Sequence, residues 1–412
     1  MVSKNYDWEH GAKLEDHTRK KHEILRRYFR EYLITRCKFP QQEKFRLAII
    51  DGFSGAGLYE CGSYGSPLIF VDVLINTAVE INTERYNQGL KPLVIECLLQ
   101  LNDRDTNALE QLKESLSPLV IEAESSPHVQ LKAEYHSSDF QEIYPTIKRR
   151  LKEARYSNVF FNLDQCGYKH APTSLIRDIV ASWKSAEVIL TFMIKTILTF
   201  LSPNSTTNQV PLEPDIQKDI NLLLSGQDNL MSKQEWLARA EKVVFEALKN
   251  CATFVSPFAI NNPDGWQYWL MHFANNHRAR QVYNNVLHQC DAQAHYGRAG
   301  LHMLSYDPAN EGKLYLFDAN SRDASKNDLY DDIPRFIAEA GDALSMHEFY
   351  EAAYSETPAH SEDIHEMIIE NEDIEVITDS GGSRRKPNAI KPTDTLKLKV
   401  QPTFFPLFKK GG

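Results

Sequence analysis

Four short polar clusters in this chain have residue types and spacing suited to holding a small charged ligand. Asp51-Gly52-Phe53-Ser54-Gly55-Ala56-Gly57 follows directly on the apolar run ending Ile49-Ile50. A glycine turn at the carboxyl end of a first strand lets backbone approach a nucleotide-like ligand closely, with Asp51, Phe53, Gly55 and Gly57 lining it. No Gly-Lys-Ser/Thr follows, so this is not a phosphate loop. Nor does the third glycine open a helix, as a dinucleotide fingerprint would require; the helix starts instead at Ser66-Pro67, with Ser66 as N-cap. A tight glycine turn without phosphate machinery suits S-adenosylmethionine. The competing reading is a plain tight turn.

The second cluster, Asn102-Asp103-Arg104-Asp105, closes the second strand. An acid there can accept from both ribose hydroxyls, and Asp103 and Asp105 both qualify. The competing role is capping the helix that starts at Thr106. The long separation of Asp51 from Asp103 departs from the simple motif, and an inserted stretch at Ile81–Pro92 would account for it. The third cluster, Ser137-Ser138-Asp139-Phe140, ends the third strand. Asp139 would meet an adenine amino group with Phe140 against the ring, or simply cap a helix. The fourth, Asn162-Leu163-Asp164-Gln165-Cys166-Gly167-Tyr168, ends the fourth strand. Amino-methyltransferases place a polar-Pro-Pro-aromatic element here; Asp164 or Asn162 would hold the target nitrogen and Tyr168 would stack. The prolines are missing. Cys166 reads as a small structural cysteine. No histidine spacing fits a metal site.

These clusters need strands to end where they lie. Strands are predicted over Phe45–Ile50, Leu93–Leu101, Val129–Tyr135, Asn158–Leu163 and Val188–Phe192, and helices over Pro67–Glu80, Thr106–Leu116, Ile143–Ala154 and Thr173–Lys184. That alternation predicts a parallel doubly wound α/β sheet. Residues 203–250 break it with a helical insertion. Thr253–Ile260 and Gln267–Ala274, joined through Asn261–Gly265, form a closing hairpin like that of class I methyltransferases. Residues 1–44 contain a helix over 16–38 with an apolar stripe at Ile24, Leu25, Tyr28, Phe29, Tyr32 and Leu33. Its other face is basic, and Lys20, Lys21 and Arg26 are candidate phosphate contacts. The main domain spans 45–300 and a linker 301–340. Residues 341–412 follow as helix, turn, helix and hairpin, a winged-helix-like order, with Ser361 capping the second helix. Over residues 384–412 eight cations face one acid, Asp394, so Arg384, Arg385 and Lys386 are further nucleic-acid candidates. The preceding helix is acidic, which argues against helix-in-groove reading and for contact through the wing.

The whole chain has 412 residues and a net charge of −10, so binding to a polyanion requires such local basic patches. Whether the two patches converge beside the Gly55 loop decides how much the sum misleads. Six solitary cysteines suit a reducing cytoplasm. The greasiest run, Val188–Leu201, contains Lys195 and is shorter than the roughly 20 residues of a membrane span. No leader is expected from the polar start.

Together these residues resemble the three-Cys-motif partner (TcmP) family of bacteria and archaea. The resemblance rests on His17-Thr18, Lys21-His22-Glu23-Ile24-Leu25, the stretch Asp51 to Glu60, Gly65-Ser66-Pro67, Asn102-Asp103-Arg104, Leu163 to Tyr168 and Tyr268-Trp269-Leu270. It implies a Rossmann-like, class I methyltransferase-type fold over about the first 300 residues and a partner protein bearing three cysteines. Family members carry Asp-Pro-Phe-Gly at the fourth strand, where this chain has Asp164-Gln165-Cys166-Gly167. The expected function is S-adenosylmethionine-dependent methylation of DNA or RNA. The alternative is a catalytically degenerate methyltransferase fold serving as a nucleic-acid-binding or assembly subunit.

Overall fold

The computed structural model describes residues 12–165, 171–192, 244–260, 269–290, 292–293, 300–302 and 318–399. Tyr168, the proposed hairpin turn Asn261–Gly265, Lys409, Lys410 and residues 203–243 of the expected insertion lie outside them. The chain divides into two compact units, residues 1–295 with 311–317, and residues 296–310 with 318–412.

The first unit is built on one sheet. Its strands are β1 (Lys44–Asp51), β2 (Val94–Asn102), β3 (Val129–His136), β4 (Asn158–Leu163), β5 (Ser185–Phe192), β6 (Phe254–Ile260), β7 (Trp269–Ala274) and a two-residue β8 (Ala292–Gln293). Their order is β3-β2-β1-β4-β5-β7-β6-β8. The first five pair in parallel, while β7 runs antiparallel between β5 and β6. A parallel sheet with the reversed β7 set between β5 and β6 is the class I methyltransferase arrangement that the sequence predicts; the short β8 is also reversed, against β6. The central strands are nearly continuous apolar runs because both faces are covered: Leu47 through Ile50 and Val159 through Leu163 are all buried, with Asn162 the one polar residue among them.

Helix α1 (Asp16–Arg36) buries the whole predicted stripe. Phe29 meets Phe70 edge-on at 5.1 Å and Phe160 at 5.6 Å. The helix is therefore a covering layer of the sheet. Helix α2 (Ser66–Asn87) runs unbroken for 22 residues, so no insertion at 81–92 separates the first two polar clusters; a long helix does. Gly65, not Ser66, is its N-cap, and Pro67 sits in its first turn. Helices α3 (Thr106–Ser125), α4 (Phe140–Glu153), α5 (Thr173–Ser182) and α6 (His277–Leu287) follow, and residues 244–249 are helical as well.

The first described helix of the second unit lies inside the expected linker. Helix α7 (Ala319–Glu339) is capped by Asp318, which accepts from Ser321 N at 2.7 Å. Its Asp- and Asn-rich exterior hides a helical stripe, Leu329, Ile333 and Ile337, all fully buried. Strand β9 (Ala343–Ser345), helices α8 (Met346–Ala353) and α9 (Ser361–Glu370), and strands β10 (Ile374–Ile377) and β11 (Thr395–Leu398) follow. The sheet order is β10-β11-β9, all antiparallel. This is a winged helix whose first helix is α7. His360 rather than Ser361 caps α9, its Nδ1 accepting from Glu362 N at 3.2 Å. No helix among the described residues is long and apolar enough to cross a membrane.

Candidate active site

The strand order reverses between β1 and β4, and crevices at such switch points lie at the carboxyl ends of the strands. The glycine loop sits there and is tied to three strands at once. Gly52 N donates to Asn162 O at 3.0 Å, and Ser54 N to Asn102 O at 2.9 Å. Asn102 Nδ2 bridges Gly52 O at 3.0 Å and Ser138 O at 3.1 Å. Gly57 has φ of +79°, and a Cβ there would lie 2.5 Å from Leu112 and 2.6 Å from Leu68. Only glycine fits this position. Gly65 N closes the loop onto Gly57 O at 2.7 Å.

The two acids of the second cluster divide their roles. Asp105 caps α3, accepting from Asn107 N and Ala108 N. Asp103 turns to the loop: Oδ2 accepts from Gly55 N at 2.8 Å and Oδ1 from Asp105 N at 2.9 Å. Asp139 caps α4 through Gln141 N at 2.9 Å and stands 3.8 Å from Arg104. Phe140 departs from expectation. It is 1% exposed, and a Cβ on Gly52 would lie 3.0 Å from its ring. It is a floor beneath the loop, with no free face for an adenine. Phe53, 5.7 Å away between ring centroids and only half-buried, is the aromatic with accessible surface.

Asp51 is fully buried, and burial pushes its carboxyl up to about 7. The side chains of Ser66 and Asn162 and the amide of Phe53 oppose that rise, while Asp164 adds to it. Even so, neither Asp51 Oδ2 nor Asn162 Nδ2 has a partner at hydrogen-bonding geometry. Asp164 behaves oppositely. Burial alone would raise it, but the Lys21 ammonium and the Thr191 hydroxyl outweigh burial and hold it below the usual carboxylate range. Lys21, expected on an outward basic face, is 9% exposed and paired inward with Asp164. His22 beside it is buried, and desolvation with the Lys21 charge lowers its pKa to about 3, so it stays neutral. The sequence alone could place neither residue here; their signal was the polar pair Lys21-His22 interrupting the buried side of α1.

Arg26 is likewise held, by Asp72. Lys20 is half-buried. In the second unit, Arg384 grips Asp394 through two hydrogen bonds, at 2.9 and 3.0 Å. Arg385 and Lys386 are exposed on the wing. Two of the four acids of α9 pair with α7: Arg322 binds Asp363 at 2.6 and 2.8 Å, and Lys326 binds Glu366 at 2.8 Å, while Glu362 stays largely exposed.

A family description, the GMT-like wHTH domain, matches residues 305–381. No curated protein matches the chain. Among solved structures, one titled "Loganic acid methyltransferase with SAH" is similar, with 8% identity over 68% of this chain and 85% of that one, at a TM-score of 0.25. The methyltransferase-type fold of the first unit rests on its strand order.

Proposed function

We propose that the chain is an S-adenosylmethionine-dependent methyltransferase acting on a nucleic acid, cytoplasmic and working with a three-cysteine partner protein. The observation that carries the reading is the strapped glycine loop beside Asp51 Oδ2 and Asn162 Nδ2, a buried acceptor and donor close to each other but short of hydrogen-bonding geometry. Such a pair suits a ligand end bearing both an ammonium and a carboxylate. When bound, S-adenosylmethionine supplies a methyl group on a sulfonium, open to direct displacement. The chain's own residues would then bind and align. Asp103 uses one lone pair on Oδ2 for Gly55 N and one on Oδ1 for Asp105 N, and keeps the others for ribose hydroxyls. Asp164, already paired with Lys21, is a weak base; it can orient an acceptor N–H but not strip its proton outright. Alignment supplies most of such a rate enhancement. On the second unit, exposed Arg385 and Lys386 favour phosphate contact through the wing, since the acids of α9 disfavour that helix as the reader.

Titration calorimetry of the full chain with S-adenosylhomocysteine tests the reading. Binding at one site is expected, weakened at least about tenfold by Asp51→Ala. Absence of binding to both the cofactor and its demethylated product would sink it. The second reading, a non-catalytic nucleic-acid-binding or assembly subunit, is favoured by Lys21 occupying Asp164 and by Gln165-Cys166 replacing the family's Pro-Phe.

A further inference from the structure

At the opposite edge of the sheet, where β4 and β5 begin, the first unit carries a cavity of about 630 Å³. It lies about 17 Å along β4 from the glycine-loop end, at roughly 3.3 Å per residue. This volume is within the range of small-ligand sites. Four cations line it: Arg36, Lys38, Lys184 and Arg278. None pairs with a carboxylate among the described residues. Arg36 bonds only neutral groups, Asn158 Oδ1 and Ser185 Oγ at 3.3 Å, and Arg278 bonds Gln281. Lys38 lies near Arg278 with no counter-charge, and burial and that guanidinium together lower its pKa.

Two further features point to a ligand. Tyr32 lines the cavity and is 4% exposed, yet its hydroxyl has no hydrogen-bonding partner. Phe39, on the same wall, is 59% exposed, with Lys38 Nζ 5.9 Å from its ring centre. That wall is held firmly. Buried Arg85 donates to the carbonyls of Phe39, Pro40 and Gln42 at 2.7 to 3.1 Å, and to Lys91 O at 2.8 Å. With its backbone fixed in this way, the exposed aromatic would lose less freedom on binding a ligand. The floor carries one acid, Glu187, whose Oε2 accepts from the Tyr28 hydroxyl; His272 Nε2 is 2.9 Å from that hydroxyl. Glu187 Oε1 makes no hydrogen bond among the described residues. An anion would sit at the cationic rim, while a ring N–H or amino group would suit the floor.

We propose that this cavity is a second ligand site, for a nucleotide unit: phosphate on Arg36, Lys38, Lys184 and Arg278, base against Phe39, and base polar groups toward Tyr32 and Glu187. The unit can be a free mononucleotide or part of a single strand. The site is separate from the glycine-loop crevice and does not depend on methylation there.

The test titrates the full chain with a guanosine or adenosine monophosphate, a short single-stranded oligonucleotide, and inorganic phosphate. A mononucleotide is expected to bind with Kd at or below about 100 μM, and Lys38→Glu with Lys184→Glu to weaken it at least about tenfold. Tyr32→Phe is expected to weaken it about threefold, without a change in circular dichroism or Tm. Binding of the oligonucleotide alone, lost in the same variants, assigns the source to a strand and still supports the site. No binding of either, binding untouched by the variants, or phosphate binding as tightly as the nucleotides overturns it. S-adenosylhomocysteine binding, measured in parallel, should be unchanged by the Lys38 and Lys184 variants, and nucleotide binding unchanged by Asp51→Ala. A failure of one site therefore leaves the other readable.

Discussion

At the carboxyl edge of the sheet, Asp51 and Asp164 lie within electrostatic reach of each other, and only one of them has a cation. At the amino edge, Arg36, Lys38, Lys184 and Arg278 share a cavity with one acid that is already engaged by Tyr28. One edge concentrates negative charge and resolves half of it internally; the other concentrates positive charge and resolves almost none. The same helix, α1, contributes to both. Near its start Lys21 and Arg26 find carboxylates, and at its end Arg36 does not. Internal pairing of this kind contributes to stability, and unresolved charge is available to a ligand. The paired charges and the tight glycine turn of the first edge should therefore respond to substitution through folding, and the unpaired cations of the second through binding.

The largest effect is expected where the carboxyl edge is tightest. Gly57→Ala, which puts a Cβ into Leu112 and Leu68 at positive φ, should cost about 3 kcal/mol or more in urea unfolding. The same change at Gly62, whose surroundings are open, should cost about 1 kcal/mol. Next comes Lys21→Met, which strands the Asp164 carboxylate. Because that side chain keeps 24% exposure, a loss of about 2–3 kcal/mol is expected rather than the full cost of a buried charge. Adding Asp164→Asn should recover most of it. If the double variant is no more stable than Lys21→Met, the pairing is not what Lys21 is for.

A smaller effect separates the two acids by pH. Asp51 is held up near 7 in the folded chain, so between its unfolded value near 4 and that point the native state binds the extra proton. Its contribution to stability is present below about pH 4 and is lost as pH rises to 7. Wild type should therefore lose stability from pH 5 to pH 8 relative to Asp51→Asn. A constant difference between the two would contradict the buried, desolvated placement. The smallest effect belongs to the amino edge. Lys38→Glu and Lys184→Glu are exposed changes expected to alter unfolding by no more than about 0.5 kcal/mol. A larger loss would show that those cations are structural after all.

Much of this was legible in the chain itself, and the exceptions have physical causes. The five parallel strands and the antiparallel pair β6 and β7 could be read because buried strands are almost uninterrupted in apolar residues. The glycine loop and the acid at the end of β2 were readable from position. The division of labour between Asp103 and Asp105 was not, because a cap and a ligand carboxylate look the same until the helix start is fixed. Lys21 and Arg26 misled because a charged residue on an amphipathic helix reads as solvent-facing, and no local pattern shows a carboxylate approaching from β4 or α2. Helix α7 was hidden by its Asp and Asn content and by Pro334 within it. The amino-edge cavity left no motif, since residues from α1, β5 and α6 meet there only through the fold.

The clamp between Arg384 and Asp394 has a consequence for the wing. Strands β10 and β11 are separated by the long stretch 378–394, and that clamp, with Lys391 N on the same carboxylate at 2.7 Å, ties it across near β11. A loop cross-linked in this way has already surrendered much of its conformational entropy during folding. Arg385 and Lys386 stand just inside the cross-link, so under the proposed phosphate contact fewer rotamers and backbone states would remain to be lost. Replacing Asp394 would leave both charges in place, yet make each contact less favourable by the entropy the clamp had removed.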